Sequence, residues 1–348
     1  MILHVSGVGT FIPPFIKLIN EEFSAENHQF WLTGVQKLKQ HPIEKADNIF
    51  IGKRTITGQL YAYLRLLVML HRARKVILHG LFNPRILMVL TFCPWLLSKC
   101  YWVLWGGDYL YREHDHRDWK YYLKEPFHRF VKKRIKHLIT YIPESVEIVK
   151  SSYGCRAEWH KCLCYTSNVF VDESRPVKPA SKVGKKILVG NSATYTNQHI
   201  ETFDVISPFI VGDVKVYVPL SYGDEIYAQN VIKRGKKVFG DKFYPLLDFV
   251  PRSEYQSFLD DIDIVVFNHN RHQAMGTIIN ILGLGKTLYM NSCVASWPFL
   301  KRLGLDIYCI DDFEDLEVKA DAEKNREIIK NYFTIDNLKC QWGDIFEQ

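Results

Sequence analysis

Residues 262–291, IDIVVFNHNRHQAMGTIINILGLGKTLYMN, decide the predicted fold. The apolar run Ile264–Phe267 predicts a strand buried on both faces. A polar loop at residues 268–273 follows, and Gly276 and Thr277 then begin an apolar helix. Parallel α/β sheets bind ligands in loops at the carboxyl ends of their strands, and the free N–H groups of a helix start suit a phosphate. An ordinary strand–helix–strand crossover with a polar loop explains the same residues equally well.

The remainder of the 348-residue chain extends this pattern. Strands and helices alternate in the first half, which favours a doubly wound α/β domain. The segment 171–186 combines two prolines with a cluster of charges, as expected for a linker. A second α/β series follows it and includes a strand expected around residues 247–250. We therefore predict an N-terminal domain at 1–175, a second α/β domain at 185–320 and a helical tail at 321–348.

Composition restricts the class of protein. Its 47% hydrophobic residues indicate a globular chain, and the net charge of +7 is concentrated in the first half. The eight cysteines lack metal-type spacing, which favours free thiols in a reducing cytoplasm. No segment has the length and apolar character of a bilayer span.

Two polar residues follow strands of the first half beside glycine. His79 precedes Gly80, and Asp108 ends the segment Trp105-Gly106-Gly107-Asp108. Either side chain could act as a general base toward a sugar hydroxyl. A structural role in the turn is the commoner use of a lone histidine or aspartate there.

Residues 119–137, WKYYLKEPFHRFVKKRIKH, combine basic and aromatic side chains. Such a segment suits an interfacial helix on anionic lipid, and Pro126 is expected to split it or to start its second helix. A nucleic-acid footprint and a solvated face of a core helix are the alternatives. The docking residues on the membrane interpretation are Lys132, Lys133, Arg134 and Lys136.

Three loops of the second half follow predicted strands, at residues 190–199, 219–222 and 268–277. Strand ends of a doubly wound sheet meet on one edge, so these loops could together form a phosphate site. The alternatives are a plain capped turn at Gly190-Asn191-Ser192 and a solvated surface role for Arg271.

A set of motifs gives the chain a family resemblance. It resembles the TDP-N-acetylfucosamine:lipid II N-acetylfucosaminyltransferases, glycosyltransferase family 56, of enterobacterial surface-polysaccharide pathways. The motifs are His79-Gly80-x-Phe82-Asn83-Pro84, Trp102-x-x-Trp105-Gly-x-Asp108, Ile187-Leu-Val-Gly190-Asn191-Ser192, Val218-Pro219-x-x-Tyr222 and Gln273-x-x-Gly276-Thr277.

The resemblance implies a GT-B fold, in which two Rossmann-like domains face each other across a cleft. It also implies a TDP-sugar donor, an undecaprenyl-diphosphate-linked acceptor and a peripheral location on the cytoplasmic face of the inner membrane. His79, Asn83, Trp105 and Asp108 would then face the acceptor. The residues that bind the sugar donor would be Gly190, Asn191, Ser192, Tyr222, Arg271, Gln273, Gly276 and Thr277. The resemblance thus implies that domain 1–175 faces the acceptor and the membrane and that domain 185–320 binds the nucleotide sugar.

We accordingly predict transfer of a 4-acetamido-4,6-dideoxyhexose, N-acetylfucosamine, to a lipid-linked oligosaccharide, with Asp108 or His79 as the base. No cofactor or metal is expected, because the DxD-like Asp261-Ile262-Asp263 leads into a buried strand and is interpreted as structural. The open alternatives are an O-antigen transferase using another TDP-deoxysugar, a GT-B sugar-nucleotide epimerase and a nucleic-acid-binding module. Nucleic acid is not an expected partner of the transferase.

Overall fold

A computed structural model describes residues 1–110, 119–171, 184–248, 250 and 252–347. Its internal contacts divide the chain into two compact units. The first unit combines Met1–Val169 with Ile335–Gln348, and the second is Phe170–Thr334. Part of the predicted linker, residues 172–183, lies outside the described residues.

The first unit is built on a parallel sheet. Over the described residues the sheet has seven strands in the order β3-β2-β1-β4-β5-β6-β7. The strands are β1 (Ile2–Gly7), β2 (His28–Thr33), β3 (Ile49–Ile51), β4 (Lys75–His79), β5 (Cys100–Val103), β6 (His137–Ile139) and β7 (Glu158–His160). The helices are α1 (Ile12–Glu22), α2 (Ile56–Arg72), α3 (Pro84–Phe92), α4 (Trp119–Arg134) and α5 (Pro143–Tyr153), with α12 (Ile335–Glu347) added from the end of the chain.

The second unit also contains a parallel sheet. Its six described strands lie in the order β10-β9-β8-β11-β12-β13. The strands are β8 (Lys185–Val189), β9 (Val214–Pro219), β10 (Phe243–Leu246), β11 (Ile264–Phe267), β12 (Thr287–Met290) and β13 (Tyr308–Cys309). The helices are α6 (His199–Ile206), α7 (Glu225–Phe239), α8 (Arg252–Asp260), α9 (Met275–Gly283), α10 (Ser296–Arg302) and α11 (Ala322–Tyr332). The expected fold of two parallel-sheet α/β domains is therefore confirmed.

Local signals explain where several helices begin. Thr55 accepts a hydrogen bond from the backbone N–H of Gly58 at the start of α2, and Asp224 accepts one from Tyr227 at the start of α7. These side chains satisfy N–H groups that have no partner within a helix. Pro126 lies inside α4, which runs through it, so the expected division of this segment is wrong.

The strand expected around residues 247–250 is wrong, because β10 occupies Phe243–Leu246 instead. Pro245 lies within that strand and has no N–H to give to a neighbour. It is tolerated because, among the described strands, β10 is at the edge of its sheet and pairs with β9 alone.

The helices of the predicted tail 321–348 belong to different units. In the second unit, Phe333 follows α11, is fully buried and accepts a hydrogen bond from the N–H of Phe170. In the first unit, the buried Trp342 of α12 donates its indole N–H to the carbonyl of Cys164 over 3.0 Å. None of the described helices combines the length and apolar character needed to cross a membrane.

Two helical glycines provide a test of packing. A Cβ on Gly235 of α7 would lie 2.2 Å from the buried ring of Phe243, whereas one on Gly343 of α12 would lie 3.9 Å from Phe23. We expect Gly235→Ala to lower the free energy of unfolding by about 1–3 kcal/mol through overpacking. Gly343→Ala should raise it by about 0.5–1 kcal/mol, because alanine is the better helix former.

Urea denaturation of the two variants checks this pair. Equal changes in midpoint for both alanines would contradict the packing that we describe around Phe243.

Candidate functional site

The second sheet has its topological switch point between β8 and β11. These neighbouring strands continue in opposite directions, β8 toward β9 and β11 toward β12. The loops after such strands diverge and leave a crevice at their carboxyl ends, where α/β proteins bind ligands. Residues 190–198 and 268–274 are the loops at this point.

A hydrogen-bond network from three loops joins several of the residues that were predicted to bind the sugar donor. Asn191 donates its amide N–H to the hydroxyl of Tyr222 over 3.0 Å and accepts a bond from Gln273 Nε2 over 3.0 Å. Gln273 Oε1 in turn accepts from Arg271 Nε at 2.8 Å and from Thr196 Oγ1 at 2.9 Å. Gln273 therefore helps to orient the Arg271 side chain.

Ser192 lies beneath this network. It is 3% exposed, and its hydroxyl contacts Thr194 Oγ1 at 3.1 Å and accepts a bond from Asn197 Nδ2 at 3.2 Å. Asn197 Oδ1 accepts from the N–H of Asn191 at 2.8 Å and from His269 Nε2 at 3.1 Å. Ser192 thus stabilises the loop from inside, whereas Asn191 and Tyr222 reach its surface.

Asn197 and His269 were not among the predicted site residues. Both lie in loops that the sequence had marked as polar, but tertiary pairing gives them their importance. His269 is 3% exposed, and it links the loop after β11 to the loop after β8 through Asn197. The polar composition of the two loops was the only available signal.

Two glycines with positive φ permit the close approach of these loops. Gly190 has φ +67°, and a Cβ there would lie 2.4 Å from His199 Nε2. Gly223 has φ +126°, and a Cβ there would lie 2.3 Å from the carbonyl oxygen of Ala193. Because L side chains rarely adopt these angles, larger residues would displace the loops. The role of Gly190 is therefore to allow the loop backbone to adopt this conformation close to His199.

Helix α9 begins at the same crevice. Its N-cap residue Ala274 adopts a left-handed conformation with φ 58°, and the described residues supply no side-chain cap there. Gly276 and Thr277 lie in the first turn, whose N–H groups have no partner within the helix. The helix start carries about half a positive charge, so it favours an anion.

The histidines around the crevice are uncharged near neutral pH. Burial lowers the pKa of His199 and His269 to about 3 and that of His272 to about 4. Arg271 is consequently the formal positive charge of the loop at residues 268–273. Within the described chain, His272 Nδ1 and Asn270 Oδ1 are buried atoms without a hydrogen-bond partner.

The first sheet has its switch point between β1 and β4. A chain of hydrogen bonds runs beneath it: His28 Nδ1 to His4 Nε2 at 3.0 Å, His4 Nδ1 to His79 Nε2 at 3.1 Å, and His79 Nδ1 to the hydroxyl of Tyr165 at 2.8 Å. Trp105 donates its indole N–H to the same hydroxyl over 3.0 Å.

Tyr165 accepts a hydrogen bond from Trp105, and its own hydrogen is available to His79 Nδ1. When Tyr165 donates to His79 in this way, His79 and then His4 carry their hydrogens on Nε2. His79 is 4% exposed with both ring nitrogens bonded, and burial lowers its pKa to about 3. This arrangement favours a positioning role over proton removal.

Asp108 is a buried acceptor. One carboxylate oxygen accepts from the N–H of Leu81 at 3.1 Å and from Trp102 Nε1 at 2.6 Å, and the other accepts from the N–H of Trp105 at 3.1 Å. Its backbone carbonyl accepts from Lys132 Nζ. Burial raises the pKa of Asp108, and Lys132 and the three donors oppose that rise. At 2% exposure, Asp108 is placed to hold the loops after β4 and β5.

The predicted acceptor-facing residues lie at the same edge. Asn83 caps α3 through a 3.0 Å bond from the N–H of Arg85 and donates to Tyr63 OH over 3.2 Å. The half-buried ring of Trp105 lies 5.2 Å from that of Phe11 and 6.0 Å from that of Phe82. Phe11 and Phe82 are 36% and 53% exposed, so the three rings form an aromatic surface there.

The predicted docking residues divide by exposure. Lys133, Arg134 and Lys136 are exposed, but Lys132 is only 1% exposed. Lys132 Nζ lies 4.7 Å from the ring centre of Tyr153 as well as bonding to Asp108. Lys132 therefore does not lie on the surface that a membrane-docking role requires, and that assignment is corrected.

Solved structures of similar fold define the class. HepE of Anabaena, solved with UDP-glucose, has a TM-score of 0.70 and 12% identity over 99% of each chain. Sucrose-phosphate synthase of Thermosynechococcus elongatus has a TM-score of 0.69 and 8% identity, covering 100% of this chain and 98% of its own. WaaG, a glycosyltransferase of lipopolysaccharide biosynthesis, has a TM-score of 0.56 and 10% identity, covering 99% of this chain and 93% of its own. The chain has the GT-B glycosyltransferase fold.

A family comparison carries the assignment further. Residues 10–342 match the family described as 4-alpha-L-fucosyltransferase, glycosyl transferase group 56. The chain belongs to this family, as its motifs had indicated, and is a glycosyltransferase.

Asp108→Asn tests the role that the geometry gives this side chain. The new amide NH₂ would face a donor, and the negative charge near Lys132 would be lost. We expect the free energy of unfolding to fall by about 2–4 kcal/mol, measured by urea denaturation. The exposed Asp47→Asn is the control and should change it by less than about 0.5 kcal/mol.

Turnover of the Asp108 variant separates the two roles. Loss of transfer with unchanged stability would contradict the positioning role and restore Asp108 as the base.

Proposed function

We propose that this glycosyltransferase transfers a 4-acetamido-4,6-dideoxyhexose, N-acetylfucosamine, from a TDP-sugar to an undecaprenyl-diphosphate-linked oligosaccharide. The observation that carries the proposal is the network of Asn191, Tyr222, Arg271 and Gln273 at the switch point of the second sheet. The family description names fucosyl transfer, and HepE was solved with a sugar nucleotide. The product would enter enterobacterial common antigen or an O-antigen.

Donor binding rests on charge at the start of α9. The dipole of that helix and the guanidinium of Arg271 would neutralise the diphosphate as the sugar leaves. Gly276 and Thr277 would offer their backbone N–H groups to the phosphate oxygens. Tyr222, which is 54% exposed, would line the ribose or base.

The positive charge of Arg271 and of the start of α9 supports transfer without a metal, and so does the position of the DxD-like residues. The DxD-like residues Asp261 and Asp263 precede β11, at the end of that strand opposite the ligand loops. Asp263 Oδ2 accepts a bond from the backbone N–H of Lys186 over 2.9 Å, and Asp261 lies 3.4 Å from the ammonium of Lys186. Both contacts fit a role in fastening β11 to β8.

The loop at residues 268–273 would select the sugar. His272 Nδ1 and Asn270 Oδ1 are buried without a hydrogen-bond partner in the described structure. Such atoms carry a desolvation cost that a ligand or an ordered water can offset. An acetamido group supplies both a donor and an acceptor, so it complements a histidine nitrogen and an amide oxygen.

The acceptor would bind at the first switch point. There the aromatic surface of Phe11, Phe82 and Trp105 offers apolar faces to a sugar ring or a lipid chain. The acceptor hydroxyl would attack the anomeric carbon, the bond from that carbon to the diphosphate would break, and the hydroxyl proton would pass to a base. His79 and Asp108 would serve this step by holding Trp105 in place.

A surface of the first unit supports a peripheral position on anionic lipid. Ile56, Leu60, Leu64 and Val68 recur every fourth residue along α2 and are 89%, 64%, 55% and 50% exposed. Residues four apart lie on one face of a helix. Lys133, Arg134 and Lys136 of the same unit are exposed as well, so the unit has both the apolar and the basic side chains that binding to anionic lipid needs.

A donor screen tests the transfer. The purified chain is incubated with TDP-sugars and an undecaprenyl-diphosphate-linked acceptor in EDTA, and products are read by mass spectrometry. We expect transfer of N-acetylfucosamine, dependent on the acceptor. Gln273→Leu should lower kcat/KM by at least tenfold, because Arg271 loses the hydrogen bond from its Nε to Gln273 Oε1. A tenfold loss corresponds to about 1.4 kcal/mol of transition-state binding.

The control for this variant is Gln229→Leu, the same substitution at an exposed position of α7. Conversion of the TDP-sugar without acceptor would instead identify an epimerase. A strict requirement for Mn²⁺ or Mg²⁺ would contradict the metal-independent site.

Vesicle binding tests the membrane surface. We expect Leu60→Ser/Leu64→Ser to weaken binding to anionic vesicles at least about tenfold, because each leucine would lose apolar burial. Neutralising Lys133, Arg134 and Lys136 should cost about 1 kcal/mol per charge and remove most of the salt dependence.

The control pair Val211→Ser/Leu247→Ser removes exposed apolar side chains of the second unit and should leave vesicle binding unchanged. Equal losses from both pairs, or salt-sensitive binding to RNA instead of vesicles, would contradict the proposed surface.

A further inference from the structure

Three potential metal ligands lie together at the edge of the first sheet. His137 opens β6, while Glu158 and His160 begin and end β7. In the parallel register His137 is opposite Glu158, and Ile139 is opposite His160. Since alternate residues of a strand share a face, all three side chains lie on the same side of the sheet.

Their ligand atoms have the spacing of a small coordination sphere. His137 Nδ1 is 3.0 Å from His160 Nε2 and 3.6 Å from Glu158 Oε2, and the last two atoms are 3.9 Å apart. Zinc binds such atoms at about 2.0–2.2 Å in a tetrahedron, which places ligands about 3.3–3.6 Å from one another. Small side-chain movements would therefore bring all three onto one ion.

Neighbouring groups already orient the two imidazoles. The ring of Tyr101 stacks on that of His137 at 4.0 Å with an interplanar angle of 8°, and the backbone of Ser98 hydrogen bonds to His137. His160 is 6% exposed, so its ring has little freedom to turn. Backbone contacts of this kind commonly hold the outer nitrogen of a metal-binding histidine.

We propose that His137 Nδ1, His160 Nε2 and the carboxylate of Glu158 form a zinc site, with water as the fourth ligand. Binding moves the hydrogen shared by the two rings to an outer nitrogen of one imidazole, so both facing nitrogens present lone pairs to the ion. Lys75 and Lys136 are nearby positive charges, and the negative charge of Glu158 offsets their repulsion of a cation.

The position of the site gives it a structural role. His137 and Glu158 lie at the amino ends of their strands, opposite the loops that follow β4 and β5. The strand β7 is three residues long and lies at the edge of the sheet. An ion shared by β6 and β7 would fasten this short strand without taking part in sugar transfer.

Zinc titration of the full chain tests the site. The exposed thiols Cys293 and Cys340 are first changed to serine, because thiols also bind zinc. Isothermal titration with ZnSO₄ should give one equivalent per chain and raise the midpoint of thermal unfolding. In that background Glu158→Gln should weaken binding at least tenfold, and His137→Ala should abolish it.

Glu147→Gln on α5 is the matched control, because its side chain is 75% exposed, contacts Lys150 and is not one of the three proposed ligands. The Glu158 side chain is 66% exposed, so that variant should fold even where a histidine variant does not. Absence of stoichiometric zinc, or equal affinity in the Glu158 and Glu147 variants, would overturn the proposal. Because the role is structural, we expect sugar transfer to continue without zinc while added zinc raises the midpoint of thermal unfolding.

Discussion

The divergence of β8 and β11 is the constraint on which the ligand loops depend. Two parallel neighbours whose chains leave in opposite directions cannot cover the space beyond their shared edge. The chain fills this edge with polar loops that bond to each other through Asn197, Gln273 and the backbone. Gly190 permits the approach of one loop because any side chain there would collide with His199. A precise arrangement of Arg271 follows from topology before any ligand is present.

Buried polar groups play the corresponding role in the first sheet. Asp108 gathers donors from the loops after β4 and β5, and Lys132 supports it from α4. His4, His79 and Tyr165 link β1 and β4 to Trp105. Each group would be costly to bury alone, but together their hydrogen bonds are satisfied. The result is a rigid support for an aromatic surface.

Much of this could be predicted from the sequence. Continuous apolar runs such as Ile264–Phe267 mark buried parallel strands, and the polar loops after them mark the ligand edge. The position of β10 could not be predicted, because Pro245 is acceptable only at the edge of a sheet and strand order is not local information. Lys132 was misplaced for a similar reason. A run of basic residues predicts a solvated face. The sequence does not show that Lys132 contacts the buried backbone carbonyl of Asp108.

The roles of His79 and Asp108 show the same limit. Their spacing within motifs placed both residues at a strand end, and the structure puts them there. Spacing does not reveal that both ring nitrogens of His79 are occupied or that three donors converge on Asp108. Proton transfer depends on such occupancy, which long-range pairing determines.

The return of α12 to the first unit has a consequence for biosynthesis. Trp342 and Phe346 pack against Phe15 and His28, residues that leave the ribosome more than 300 positions earlier. The face of the first unit that contains Phe15 and His28 is therefore covered by α12 only after the whole second unit has been translated. Until then its histidines and aromatic rings remain open to chaperones or to other nascent chains.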